Sequence, residues 1–428
     1  MEALGKRKRG GDDAGGGGGG DRLNALPDHL LHEVMSRMKA RQMVQTCALS
    51  RRWRHLWPKV PCLDIDQREF LHAGHDKFDD FVYFLLREVP VARLDAFRLH
   101  ANEGFDKAGL VATGGASAWI RRAVMASALA APPPARDGGP TTTSSSGSWR
   151  LRRLHLSGVR LEGPFAEHVR SRCPSLEDLE LRACTCRFRA IASGSLGSLS
   201  LVRCASAAKE FAEISAPRLR SLVVDQGSSS SNDVASPTPF VVTAPALARL
   251  SLVVSPYNFP GGVSFGEMGS LARASIHLKE RETMAKRAHH RSHLFKILRS
   301  VSNVTSLELN GFDVTVPVEP PSYPEFKNMR ALILRNYDPD GNFQTLGHFL
   351  QSSPILEKLT LQCCKDTRKK KGTSKMKNID PNLMDVRCEN LKLTEIIYKD
   401  DDVGQLVEFL LRFSRNLPNN NIRLIKID

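Results

Sequence analysis

The stretch Leu176-Glu177-Asp178-Leu179-Glu180-Leu181-Arg182-Ala183-Cys184 decides how this chain folds. Leucines stand at positions one, four and six, and a cysteine at nine. In an extended strand, positions four and six point the same way, so Leu179 and Leu181 share a core while Glu180 faces away from it. The spacing recurs as Leu151/Leu154/Leu156, Leu196/Leu199/Leu201, Leu219/Leu222/Val224, Leu247/Leu250/Leu252 and Leu271/Ala274/Ile276. It continues as Val304/Leu307/Leu309, Met329/Leu332/Leu334, Leu356/Leu359/Leu361 and, degenerate, Leu391/Thr394/Ile396. Weaker copies, Val60/Leu63/Ile65 and Leu94/Phe97/Leu99, precede them.

From Leu151 onward, successive copies start 20 to 35 residues apart, and most intervals lie in or near the range of leucine-rich repeats. No single repeat can bury its own leucines, but stacked repeats can, in a curved parallel sheet whose concave face is open to a partner. The returns between strands are expected to be helical or irregular. Phe165–Cys173, His293–Val301 and Thr345–Ser353 have helical spacing. Cys184, Cys204 and Cys364 occupy the ninth position, where a thiol bonds backbone in the turn. Proline stops the return and admits the strand in Cys173-Pro174-Ser175, Ala216-Pro217-Arg218, Ala244-Pro245-Ala246 and Ser353-Pro354-Ile355. The fold class is therefore α/β, a leucine-rich-repeat solenoid over 63–428. Pro/Ser/Thr/Gly-rich or basic loops at 130–148, 227–239 and 366–378 are expected to be flexible. Phe78–Val89 and Trp119–Leu129 read as amphipathic helices between the early strands, and Val403–Phe413 with the strand at Ile422–Ile427 as a far-end cap.

Before the repeats, Leu26–Trp57 reads LPDHLLHEVMSRMKARQMVQTCALSRRWRHLW. Leu30, Leu31, Val34, Met35 and Met38 fall at helical spacing, Met43 to Leu49 form a second apolar set, and Trp53, Leu56 and Trp57 a third. Pro27 suits the first helical turn. Three helices this short need outside support, and apolar residues left on their outer face suggest a docking surface. The order of these residues, ending in Leu49-Ser50-Arg51-Arg52-Trp53-Arg54-His55-Leu56-Trp57, resembles the F-box motif of plant F-box/leucine-rich-repeat proteins. The segment from Met329 to Asp428 resembles the C-terminal, FBD-like part of the same family.

The resemblance implies a three-helix F-box at 21–62 that binds a Skp-type adaptor and, through it, a cullin–RING ubiquitin ligase. The adaptor-binding residues it implies are Leu26, Pro27, Leu30, Leu31, Val34, Met35, Val44, Leu49, Ser50, Trp53 and Leu56. The expected role is the substrate-recognition subunit of an SCF-type ligase. The target would be held on the residues between the paired core leucines: His155, Glu180, Ser200, Val223, Ser251, Glu308, Ile333 and Thr360. The alternative is a non-catalytic repeat scaffold in which the helices only cap the solenoid. Deleting residues 21–62 would then collapse the repeats, whereas the ligase reading is compatible with a soluble remainder.

Lys plus Arg exceed Asp plus Glu by 61 to 46, a net charge of +15, which invites a nucleic-acid reading. The excess is spread out, aromatics are few, and an acidic protein partner explains the basic residues Arg37, Lys39, Arg41, Arg51, Arg52 and Arg54 as well as phosphate does. Nucleic acid is therefore not the expected partner. Residues 1–20 join Lys6-Arg7-Lys8-Arg9 to a glycine run and read as disordered. The basic tetrad has the composition of a nuclear-import signal, so nucleus, cytoplasm or both are expected. No apolar run of membrane-spanning length and no signal peptide is evident, and the nine cysteines read as reduced thiols.

No catalytic constellation emerges. His289-His290-x-x-His293 lacks the glutamate of a zinc-protease helix and is flanked by Lys286, Arg287 and Arg291. Cys184-x-Cys186 lacks the second pair of a zinc site. There is no phosphate-binding loop, no G-x-S-x-G turn and no exposed activated cysteine. Catalytic residues, metal and cofactor are all expected to be none.

Overall fold

Each leucine-spaced run forms a strand, and all of them join one parallel sheet. The computed structural model describes residues 25–48, 50–71, 75–89, 94–101, 150–206, 211–225, 239–254, 262–278, 295–311, 324–337, 343–363, 389–398 and 420–427. In sheet order the thirteen strands are β1 (Cys62–Asp66), β2 (Ala96–His100), β3 (Arg153–Ser157), β5 (Asp178–Arg182), β8 (Ser198–Val202), β11 (Ser221–Asp225) and β13 (Arg249–Val254). Then come β15 (Arg273–Leu278), β16 (Ser306–Asn310), β17 (Ala331–Tyr337), β18 (Lys358–Cys363), β19 (Leu393–Tyr398) and β20 (Asn421–Lys426). Leu179, Leu199, Leu222 and Leu250 lie side by side in register, as do Leu181, Leu201, Val224 and Leu252. Both rows are buried, as the alternation of side chains along a strand requires.

The returns are helical near both ends of the described repeats, at Gly163–Arg172, Phe343–Gln351 and residues 295–300. Other described parts of the returns form short strands. β4 (Arg160–Glu162), β6 (Thr185–Arg187) and β9 (Ala205–Ser206) make one small sheet. β7 (Ala190–Ala192), β10 (Glu213–Ser215), β12 (Phe240–Thr243) and β14 (Val263–Phe265) make another. Their sequences bury single β-branched residues such as Ile191, Ile214 and Val242 between more exposed neighbours, a period of two that suits a strand. A phenylalanine from each return then stacks on the next: Phe165 on Phe188, Phe188 on Phe211 and Phe211 on Phe240, with ring centroids 5.9, 5.4 and 5.5 Å apart.

The turn after each strand has its own device. The residue at position eight adopts positive φ in five repeats: Gly158 (66°), Ala183 (49°), Arg203 (53°), Gly311 (76°) and Asn336 (53°). Its N–H then reaches the end of the neighbouring strand, as Gly158 N–H does to Arg182 O at 2.9 Å and Ala183 N–H to Val202 O at 2.7 Å. The following cysteine closes the turn from inside. Cys184 Sγ donates to Leu156 O at 3.4 Å and Cys204 Sγ to Leu181 O at 3.2 Å. Cys364, expected in the same slot, lies outside the described residues. So do Trp119–Leu129, Val403–Phe413, the basic tetrad, the histidines at 289–293 and the loops at 130–148 and 366–378; of the loop at 227–239, Pro239 alone is described.

The N-terminal helices are α1 (Asp28–Ser36), α2 (Ala40–Gln45) and α3 (Arg51–Leu56). Pro27 caps α1 from outside, one residue earlier than expected, its carbonyl accepting from Leu30 and Leu31 N–H at 3.1 and 3.2 Å. A fourth helix, α4 (His75–Glu88), follows β1. The boundary set at residue 62 falls on the first residue of β1, and no gap in the core marks it. Leu31, Met35, Trp53 and Leu56 belong to the same apolar cluster as Leu63, Leu179 and Leu361. The helices therefore cap the sheet whether or not they also dock a partner, so deleting them cannot separate the two readings.

Candidate functional site

Two surfaces answer to the sequence expectations: the outer side of α1–α3 and the open face of the sheet. On α1, Leu31 and Met35 are fully buried, whereas Leu30 and Val34, four residues apart, keep 37% and 39% of their surface in water. That spacing puts Leu30 and Val34 on one side of the helix. The eleven residues named for adaptor binding thus divide. Leu31, Met35, Trp53 and Leu56 are core, which corrects their assignment to a surface. Leu26 and Val44 are half-buried against that core, Pro27, Leu30 and Val34 face outward, and Leu49 lies outside the described residues. Ser50 has a structural task, since its hydroxyl accepts the Arg52 N–H at 3.1 Å and caps α3.

The basic residues of this segment are mostly engaged within the chain. Arg37 pairs with Glu33, and Arg52 with Asp28, joining α3 to α1. The Arg52 hydrogen bond holds the Asp28 carboxyl below its ordinary range. Arg41 bonds the Glu69 carbonyl and lies over the Phe70 ring. Lys39 reaches Asp64 at 2.9 Å and Asp66 at 3.5 Å on β1. Among the described residues, only Arg51 and Arg54 of the six point to solvent without an acidic partner. The basic cluster is therefore largely internal bracing, and leaves two of its six charges without an acidic partner among the described residues.

Asp66 is the most enclosed acid of the junction. Burial raises its pKa, but the Arg68 side chain and N–H and the charges of Arg68 and Lys39 outweigh burial and bring the carboxyl down to about 2. His100, on the next strand, is pushed down by burial and then by the Lys39 charge.

On the open face, strand pairing aligns one residue from every strand. The row runs Asp64, Arg98, His155, Glu180, Ser200, Val223, Ser251, Ser275, Glu308, Ile333, Thr360, Glu395 and Arg423. All eight residues named for target binding fall in it. Seven are partly exposed; Thr360 is buried, because Glu395 on the adjacent strand covers it and accepts its hydroxyl at 3.3 Å. Thr360 is thus withdrawn from the exposed set. Asp64, Arg98, Ser275, Glu395 and Arg423 complete the row; the first four stand between paired core positions of repeats visible in the sequence but were not among the residues named.

Among the described residues no three His, Cys, Asp or Glu side chains are grouped to hold a metal. Among the described residues no helix is long and apolar enough to cross a membrane. Cys173, Cys184, Cys186 and Cys204 are buried free thiols, and burial pushes Cys173 up to about 12.

Comparison with known proteins finds matches to both segments. The F-box domain model matches residues 23–64, and the model described as "FBD-associated F-box protein At5g56370, LRR repeats" matches residues 138–258. The MEIOTIC F-BOX protein MOF of Oryza sativa subsp. japonica is 29% identical, covering 95% of this chain and 86% of its own length. The F-box/FBD/LRR-repeat protein At5g22660 of Arabidopsis thaliana is 26% identical, covering 92% and 88%. Its relative At5g53840 is 44% identical over 64 residues, 15% of this chain and 13% of that protein.

Proposed function

We propose that this chain, which carries an F-box and leucine-rich repeats and whose homologues are plant F-box/FBD/LRR-repeat proteins, is the substrate-recognition subunit of an SCF-type ubiquitin ligase. The F-box with repeats behind it supports the general role of F-box substrate adaptor, and F-box domains generally bind Skp1-type adaptors. Proteins of this kind are generally non-catalytic. In the finer reading, Leu30 and Val34, with Pro27 beside them, dock the adaptor, and the open sheet face holds a target protein. Catalysis is then proximity: a tethered target presents its lysines to the ubiquitin carrier at high effective concentration.

The observation that carries this reading is the exposure of Leu30 and Val34 on a helix whose opposite side is wholly buried. Two apolar residues exposed side by side on one helix face are what an adaptor contact would use. The test is co-purification of the full chain with a Skp-type adaptor and a cullin. Retention of both supports the reading. Failure to retain the adaptor refutes it and leaves the repeat scaffold. We further propose that Lys6-Arg7-Lys8-Arg9 directs the chain to the nucleus; a fluorescent fusion whose distribution is unchanged when all four become alanine would refute that.

A further inference from the structure

We propose that the middle of the open sheet face, around Arg249 and Arg273, binds an acidic peptide segment of the target through aspartate or glutamate side chains. This rests on the ligase-receptor reading above and specifies the chemistry of the target.

The charges of the open face are not uniform along the sheet. Toward the N-terminal end they are engaged with one another: Lys39 pairs with Asp64 and Arg182 with Glu180 at 2.7 Å, and His155 Nε2 lies 3.0 Å from Asp178. Toward the C-terminal end Arg335 pairs with Glu308, and Lys358 with Glu395 at 2.8 Å. Between these zones the aligned row carries only Ser200, Val223, Ser251 and Ser275. Arg249 and Arg273 stand directly opposite each other on β13 and β15. Both are exposed, and neither has an acidic partner among the described residues.

Strand neighbours lie about 4.8 Å apart, and like charges placed directly opposite one another disfavour the pairing. An anion across both guanidinium groups converts that repulsion into attraction, and the planar fork of arginine matches a carboxylate in two parallel hydrogen bonds. Ser251 and Ser275, two residues further along the same strands, point to the same face and bring hydroxyl donors. The small side chains of the aligned row, Ser200, Val223, Ser251 and Ser275, leave a low, uncharged strip between two zones whose charges are paired within the chain. An extended acidic segment fits that strip. Nucleic acid fits it poorly: the twelve face-lining residues of β8, β11, β13 and β15 include no Phe, Tyr or Trp on which a base could stack.

The test uses the purified full chain and three fluorescein-labelled twelve-residue peptides: alternating Glu and Ser, its Gln counterpart, and a counterpart with phosphoserine and Gln. Fluorescence anisotropy is read at low and at moderate salt. The Glu peptide is expected to bind in a salt-sensitive way and the Gln peptide not to bind. Arg249→Ser/Arg273→Ser is expected to weaken the Glu peptide by about tenfold or more with an unchanged thermal melt. Lys296→Ser/Arg299→Ser, on the helical return, is expected to leave it unchanged. Equal binding by the Gln peptide, equal loss in the two double variants, or binding of the phosphoserine peptide or a single-stranded RNA in place of the Glu peptide would each overturn the proposal. Adaptor capture is measured on the same preparations. If wild-type chain binds the Glu peptide but no adaptor, the ligase reading falls and the acidic site stands; if it captures adaptor and ignores the peptide, the reverse holds.

Discussion

Truncating Leu30 and Val34 to alanine separates docking from folding. The two side chains leave 37% and 39% of their surface in water, roughly 130 Å² of mostly apolar area together, or about 3 kcal/mol at ~25 cal/mol/Å² if a partner covers it all. Alanine keeps the Cβ, so the double variant should lose about 2 kcal/mol of adaptor binding, roughly 30-fold in Kd. Its stability should fall much less than that of a core truncation, because both side chains keep over a third of their surface in water. Leu31→Ala is the contrasting case. Leu31 is wholly buried, and its truncation should cost about 2–5 kcal/mol of folding stability, reducing adaptor binding only through the unfolded fraction. Biolayer interferometry against a purified Skp-type adaptor, with a thermal melt of each variant, reads both quantities. If Leu30→Ala/Val34→Ala changes Kd less than about threefold at an unchanged melt, α1 does not dock the adaptor through this side.

Three further outcomes follow from the frame that carries these surfaces. Gly311→Ala should destabilise the chain by about 2–3 kcal/mol, because alanine resists positive φ and its Cβ would overlap the Leu278 carbonyl; a urea transition within about 0.5 kcal/mol of wild type would refute the turn argument. Acidification should loosen the junction between the N-terminal helices and β1. Asp66 has a folded pKa near 2 against 3.8 unperturbed, so its stabilising contribution is complete above the unfolded value and is lost as pH falls toward 2. His100, also lowered, has the same sign and acts first, as pH falls below its ordinary value. A pH series of melts in which Asp66→Asn shows the same loss between pH 4 and 2 would contradict this. Finally, iodoacetamide should label Cys47 and Cys62 of the native chain well before the buried Cys184, Cys186 and Cys204; early labelling of those three, read by peptide mapping, would show that the turns open.

The leucine spacing was enough to place twelve of the thirteen strands of the large sheet, the last coming from the apolar run Ile422–Ile427, because a period of two and a fixed offset leave the register little freedom. It could not tell Thr360 from its exposed neighbours. That difference comes from Glu395, thirty-five residues away in sequence and adjacent in register. The phenylalanine stack escaped notice for the same reason: Phe165, Phe188, Phe211 and Phe240 lie outside the leucine pattern and meet only once the returns are folded. On α1 the ambiguity is of another kind. Leu30/Val34 and Leu31/Met35 are adjacent stripes of one amphipathic helix, and periodicity identifies both without saying which turns inward. Only packing against α3 and β1 makes that choice.

That choice has a consequence for mechanism. The side of α1 opposite Leu30 and Val34 is built into the same apolar core as the first strands, and Lys39 ties the helices to Asp64 and Asp66 on the open face itself. Phe70 adds a second brace, its ring 5.3 and 5.0 Å from Phe78 and Phe81 on α4. A receptor working by proximity loses effective concentration when its two binding surfaces move independently, since a flexible link spreads the target over a larger volume. Here the helices that would dock an adaptor are continuous with the sheet that would hold the target. The thirteen-strand sheet sets the separation, about 4.8 Å for each strand passed. Arg249 on β13 is six strands from β1, so the acidic segment would sit about 29 Å along the sheet from the helices, at a distance fixed by strand count rather than by a linker.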